Sequence, residues 1–163
     1  MSTVVIGVGN RDRGDDAIGL VLVDALVGRL PDVVTVAHEG DMSHLPLLWT
    51  GADDVVIIDA VVDAALAVGE VRLFDTSDLQ QPSALSTHGL GVADALALAG
   101  QLGRTPRSVR IVGVGVEQVG FGAIGAGLRQ RIPALVERVI RLVDGNAQAL
   151  GVTSALSPVA IRP

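Results

Sequence analysis

Short runs of β-branched and aliphatic residues alternate with longer segments of helical period along this chain, and that alternation narrows its fold more than any other feature. Strands separated by helices build βαβ units, which assemble into a mostly parallel sheet. Thr3 to Val8 reads as the first strand, and Asp16 to Leu30 places Ile18, Leu22, Ala25, Leu26 and Leu30 on one helical stripe. Val33 to Ala37 predicts a second strand, and Ser43 to Trp49 a short helix in which Pro46 is acceptable near the start. Val55 to Ile58 is a continuously apolar run of the kind buried on both faces of a sheet. Val71 to Phe74 reads as an edge strand, bounded by Gly69 and by the polar segment from Asp75 to Ser83. A helix from Gly89 to Leu102 is followed by Gly103 and then Pro106, a cap and a stop. Ser108 to Val114 predicts the last strand and Ile132 to Val143 the last helix, with Pro133 in its first turn. The expected fold class is α/β, a three-layer α/β/α arrangement with a twisted, mainly parallel sheet flanked by helices. Residues 1–144 are expected to form one domain. Residues 145–163, uncharged until Arg162 and without a clear period, are expected to form a flexible tail.

Composition supports a sheet covered on both sides. Hydrophobic residues make up 49% of the chain and mean hydropathy is +0.52, while aromatics at 2% leave the core aliphatic. The most apolar stretch, Val55 to Val68, is interrupted by Asp59 and Asp63, so no membrane span is expected. The start, Met1-Ser2-Thr3-Val4, has no basic region before its apolar run and reads as a strand, which leads to an expected cytoplasmic location. With no cysteine there is no disulfide, thiolate metal site or cysteine nucleophile, so any metal must be held by oxygen and imidazole. A net charge of −6 without clustered lysine and arginine argues against a nucleic-acid partner.

The first strand-to-helix turn, Gly7-Val8-Gly9-Asn10-Arg11-Asp12-Arg13-Gly14-Asp15-Asp16, invites a nucleotide-binding reading. A dinucleotide fingerprint needs a glycine where Asp12 stands, although Glu39 after the second strand would suit a ribose-binding acid. Gly9 and Gly14 have the spacing of a P-loop, yet Asp15 and Asp16 occupy the lysine and hydroxyl positions and would repel phosphate. The loop is suited to attract a cation. The plainer alternative is that both aspartates cap the following helix.

Asp59 ends the apolar run Val55-Val56-Ile57-Ile58, at the carboxyl edge of a central strand, where open α/β sheets bind their ligands. An aspartate there also serves simply to turn the chain. His88, in Ser86-Thr87-His88-Gly89, stands at another loop-to-helix junction, where a lone histidine is often a surface or capping residue. Together Asp16, Asp59 and His88 would make an oxygen and nitrogen site with open coordination positions, suited to nickel, zinc or manganese. His38, Glu39, Asp41 and His44 cluster after the second strand and could form a substrate wall or a solvated loop. Glu117, after the last strand, is a further carboxylate expected at the same edge. No glycine-flanked nucleophile elbow surrounds any serine, which argues against a serine hydrolase.

Three features together resemble the nickel-iron hydrogenase maturation endopeptidases. They are Gly7-Val8-Gly9-Asn10 with Gly14-Asp15-Asp16-Ala17-Ile18-Gly19, the strand ending in Asp59-Ala60, and Ser86-Thr87-His88 opening a helix. The resemblance spans roughly residues 3–144 and implies a phosphorylase/hydrolase-like fold with the metal site at Asp16, Asp59 and His88. It also implies removal of a C-terminal extension from the precursor of a hydrogenase large subunit after nickel has been installed there. The nickel then arrives with the substrate, and zinc or cadmium could stand in for it in crystals. Two departures bear on the choice of target more than on these three residues: His38-Glu39-Gly40-Asp41-Met42 replaces a Gly-Gly-Thr type turn, and Gly115-Val116-Glu117-Gln118 replaces Gly-Ile-Glu-Pro. Two other functions fit the same residues less fully, a nickel-binding chaperone or sensor that cleaves nothing and a dinucleotide-binding oxidoreductase. A monomer is expected.

Overall fold

The structure is a computed structural model that describes residues 2–78, 89–117 and 119–145. Its strands are β1 (Thr3–Gly9), β2 (Val33–Glu39), β3 (Asp54–Val61), β4 (Val71–Asp75) and β5 (Ser108–Gly115). They form one sheet in the order β2-β1-β3-β5-β4, parallel throughout except for β4, which pairs antiparallel with β5. The helices are α1 (Ile18–Leu26), α2 (Leu45–Leu48), α3 (Gly89–Gln101) and α4 (Ala126–Val143), with 3-10 turns at Asp15–Ala17 and Met42–His44.

The apolar runs are continuous because alternate residues of each central strand enter different cores. Val5, Val56, Ile58, Val112 and Val114 pack against α1 and α4, through Ile18, Leu22, Leu26, Leu128, Val136 and Val139. Val4, Ile6, Val55, Ile57 and Ile111 face the other way, onto Met42, Leu45, Trp49, Val92, Ala95 and Ala99. The result is the expected three-layer α/β/α arrangement. No helix among the described residues is long and apolar enough to cross a membrane.

Several expected boundaries move, among them the end of the second strand, which runs to Glu39 instead of Ala37 and so takes in His38 and Glu39. The first helix splits into the turn Asp15–Ala17 and α1, and it stops at Leu26 because Val27 adopts an extended ψ of 123°; Leu30 is buried beyond the helix end. The third strand does not stop before Asp59 but runs on to Val61, with Asp59 paired opposite Gly113 of β5. The last helix starts at Ala126 instead of Ile132, so Pro133 lies inside it and not in its first turn. Pro46 does sit at the start of α2. The expected tail falls outside the described residues from position 146 onward.

Candidate active site at the sheet switch point

In the order β2-β1-β3-β5-β4, the strand that follows β1 in sequence lies on one side of it and β3 lies on the other. Such a reversal opens a crevice at the carboxyl ends of the two strands, the usual ligand position in open α/β sheets. The register shows where the crevice opens. β1 pairs with β3 as far as Gly7 opposite Ile58; beyond that, Val8 and Gly9 stay with β2, while Asp59 to Val61 stay with β5. Asp59 is therefore the first residue of β3 past the split.

Asp16 reaches the same place from the other strand. The turn Asp15–Ala17 directly follows the β1 loop and packs against β1 and β3. Two glycines permit this approach. A side chain at Gly19 would collide with the carbonyl oxygens of both Ile58 and Val8, and one at Gly9 would collide with the carbonyl of Asp16. The glycine motif thus brings the helix start down onto the sheet edge, an explanation that needs no phosphate to be cradled.

Asp16 is 2% exposed and Asp59 is 3% exposed, and they are the only buried charged or polar side chains among the described residues. Aspartate is rarely buried to this extent, since removing a carboxylate from water is costly unless it is compensated. The two candidates from the sequence therefore share the crevice and its unusual burial. His88, the third expected member, lies outside the described residues. The described residues by themselves contain no group of three metal-ligating side chains. The neighbouring helix α3 opens at Gly89, and its Gly91 packs against Met42 in the turn after β2.

Asp15 and Asp16 diverge in role. The Asp15 carboxylate accepts a hydrogen bond at 2.8 Å from the backbone N–H of Gly125, the N-cap residue of α4, so it fastens the head of a helix far along the chain, while the turn Asp15–Ala17 that it opens has no side-chain cap. The polypeptide around α4's start is stitched to the same loop by Gly14 N–H to Gly122 O at 2.9 Å and Gly122 N–H to Asp12 O at 3.0 Å.

The remaining candidates divide. Glu39 is the last residue of β2, where it accepts the backbone N–H of Arg11 at 2.8 Å and faces its guanidinium at 3.7 Å. It braces the glycine loop, a role that explains it without a ribose. His38 is also inside β2, with its Nε2 at 3.0 Å from the carbonyl of Asp41 and its ring edge-on to His44, centroids 6.2 Å apart. Asp41 accepts the backbone N–H of Ser43 at 2.8 Å. That bond, with the Ser43 hydroxyl and the nearby His44 and His38, holds its carboxyl below the usual carboxylate range. Glu117 is exposed beyond β5 and lines an open groove of about 360 Å³ with Val62, Asp63, Leu66, Val68 and Val116. The hydrogen bond from Val116 N–H to Val61 O ties this groove to the end of β3.

Comparison with known proteins gives one family. The family model described as hydrogenase maturation protease matches residues 31–145. The hydrogenase 2 maturation protease of Escherichia coli is 31% identical over 158 residues, covering 93% of this chain and 94% of that protein. The hydrogenase expression/formation protein HoxM of Azotobacter vinelandii is 28% identical, covering 93% and 75%. Among solved structures, an endopeptidase from Escherichia coli superposes with a TM-score of 0.71 at 26% identity, covering 90% of this chain and 94% of that one. HybD, a [NiFe] hydrogenase maturation protease from Thermococcus kodakarensis, gives a TM-score of 0.70 at 24% identity, covering 87% and 99%, a likeness of fold.

Proposed function

The chain belongs to the hydrogenase maturation protease family, and from that premise we propose that it is an endopeptidase removing a C-terminal extension from a nickel-loaded hydrogenase large-subunit precursor. The observation that carries the reading is the pair of buried aspartates, Asp16 and Asp59, at the split between β1 and β3. Buried carboxylates on rigid elements suit the binding of a hard or borderline cation, because their geometry is fixed before the ligand arrives.

In this proposal the nickel is part of the substrate. Asp16, Asp59 and His88 offer two carboxylates and an imidazole to it, and holding the metal fixes the peptide attached to it against the crevice. Hydrolysis then adds water across one peptide bond, the carbonyl carbon gaining the oxygen and the departing nitrogen gaining a proton. The residues supply orientation, so the substrate is expected to be cut only when its metal is present. His38, Asp41 and Glu117, which rim the sheet edge, are proposed to contact the precursor around the crevice.

Intact-mass spectrometry of the precursor tests the proposal. Wild-type protein is expected to shorten the nickel-loaded precursor by one C-terminal peptide and to leave nickel-free precursor whole. A precursor that another processing enzyme can cut, but that this protein leaves intact in both states, would overturn it.

A further inference from the structure

The chain has only three phenylalanine or tryptophan residues and no tyrosine. Trp49 and Phe74 are each 1% exposed, as large apolar side chains in a small domain ordinarily are, whereas Phe121 is 93% exposed. It stands between Gly120 and Gly122 in the segment joining β5 to α4. We infer that Phe121 is a docking residue, inserted into an apolar pocket on the precursor protein when the substrate is brought to Asp16 and Asp59. This rests on the peptidase reading above.

Two observations favour that occupant. First, the backbone carrying the ring is clamped to the glycine loop that precedes Asp16. Gly14 N–H reaches Gly122 O at 2.9 Å, Gly122 N–H reaches Asp12 O at 3.0 Å, and a further bridge joins Gly14 to Val119. The Asp15 carboxylate holds Gly125 at 2.8 Å. Phe121 is thereby positioned by the residues immediately before Asp16, and a protein that reaches Asp16 meets this loop. Second, the loop is anchored on both sides of an aromatic ring that is itself in water. Val119 and Ile124 pack partly into the core beside Leu128. A rigid backbone with a two-torsion aromatic side chain loses little freedom on binding, which is how aromatic anchors contribute affinity at protein interfaces. The exposed Arg11, Asp12 and Arg13 nearby give the anchor a charged rim.

The test compares wild type, Phe121→Ala and Phe121→Leu as full chains. Surface plasmon resonance measures binding to the nickel-loaded precursor, and intact-mass kinetics measures its cleavage. Phe121→Ala is expected to raise Kd and KM roughly 10- to 100-fold, the size expected for losing one buried aromatic side chain, with kcat within about twofold. Phe121→Leu is expected to fall between. The melting temperature should stay within about 2 °C of wild type. Binding of Phe121→Ala equal to wild type would overturn the inference. So would a fall of more than about 5 °C in melting temperature, which would mean that the ring is covered within its own chain. A dimer by light scattering that Phe121→Ala converts to monomer would also overturn it, by assigning the ring to a second copy. If wild type binds the precursor without cutting it and Phe121→Ala binds more weakly, the docking residue stands while the peptidase reading falls. Failure of wild type both to bind and to cut would overturn both.

Discussion

The two edges of the sheet treat their aspartates in opposite ways. At the amino edge, Asp53 accepts the backbone N–H of Ser2 at 2.7 Å, and Asp54 is held by the Ser108 hydroxyl and by the Arg107 guanidinium. These bonds lower both carboxyls below their ordinary values, with the Ser2 backbone bond leading for Asp53 and the Ser108 hydroxyl leading for Asp54. At the carboxyl edge, five positions along the same strand, Asp59 is buried with Asp16 where β1 and β3 part. The amino edge uses carboxylates to fasten strand beginnings together. The carboxyl edge keeps two of them inside the protein at the place where open α/β sheets receive ligands, and the difference separates structural acids from candidate functional ones without reference to the residue type.

The contrast can be broken at several points. The largest expected effect is on activity: Asp16→Asn should lower kcat/KM for the nickel-loaded precursor about 1000-fold, roughly 4 kcal/mol, with the circular dichroism spectrum unchanged. Gly19→Ala tests whether the crevice depends on close approach. Its new methyl group would meet two backbone carbonyls that cannot move aside, and a loss of about 3 kcal/mol in urea unfolding is expected. Asp54→Asn should cost about 1–2 kcal/mol by the same measurement, through weakening of charge-assisted hydrogen bonds at a partly exposed site.

Acid sharpens the comparison further. Because the folded-state pKa values of Asp53, Asp54 and Asp75 are lowered, their stabilisation is fully present above the unfolded carboxylate pKa near 4. It is lost as pH falls through the lower folded values. Urea midpoints should hold steady down to about pH 5 and decline below about pH 4, and Asp54→Asn should make that decline shallower. The smallest effect is expected at Glu39→Gln, about 0.5 kcal/mol or less, since the Arg11 bridge it loses is about half exposed.

The architecture was legible in the sequence because parallel strands covered on both faces must be written as uninterrupted apolar runs, and Val55 to Ile58 is such a run. The strand's true end was not legible. A charged residue after four aliphatic ones reads as an exit from the sheet, yet β3 continues through Asp59 because β5 still pairs with it after β1 has left. The start of α4 was hidden for another reason: its N-cap residue, Gly125, is held by the Asp15 carboxylate, which lies 110 residues earlier in the chain. Asp16 and Asp59 were visible as acids at junctions, but their burial follows from the glycine contacts at Gly9 and Gly19, which only the folded chain brings together. The bond from the Arg11 backbone N–H to Glu39 was not legible, since the two residues stand 28 positions apart and meet only once β2 lies beside β1. Phe121 carried a signal that could have been used, a lone aromatic between glycines in a chain with almost no aromatics.

The most direct test of the account sets two positions of β3 side by side. Nickel-loaded precursor is incubated with Asp59→Asn or Asp54→Asn, each at a urea-free temperature where both variants are folded, and the products are weighed by intact-mass spectrometry. The account requires Asp54→Asn to release the C-terminal peptide at the wild-type rate within about twofold and Asp59→Asn to release it about 1000-fold more slowly. Equal rates for the two variants would contradict it, because the carboxyl edge would then carry no more of the reaction than the amino edge.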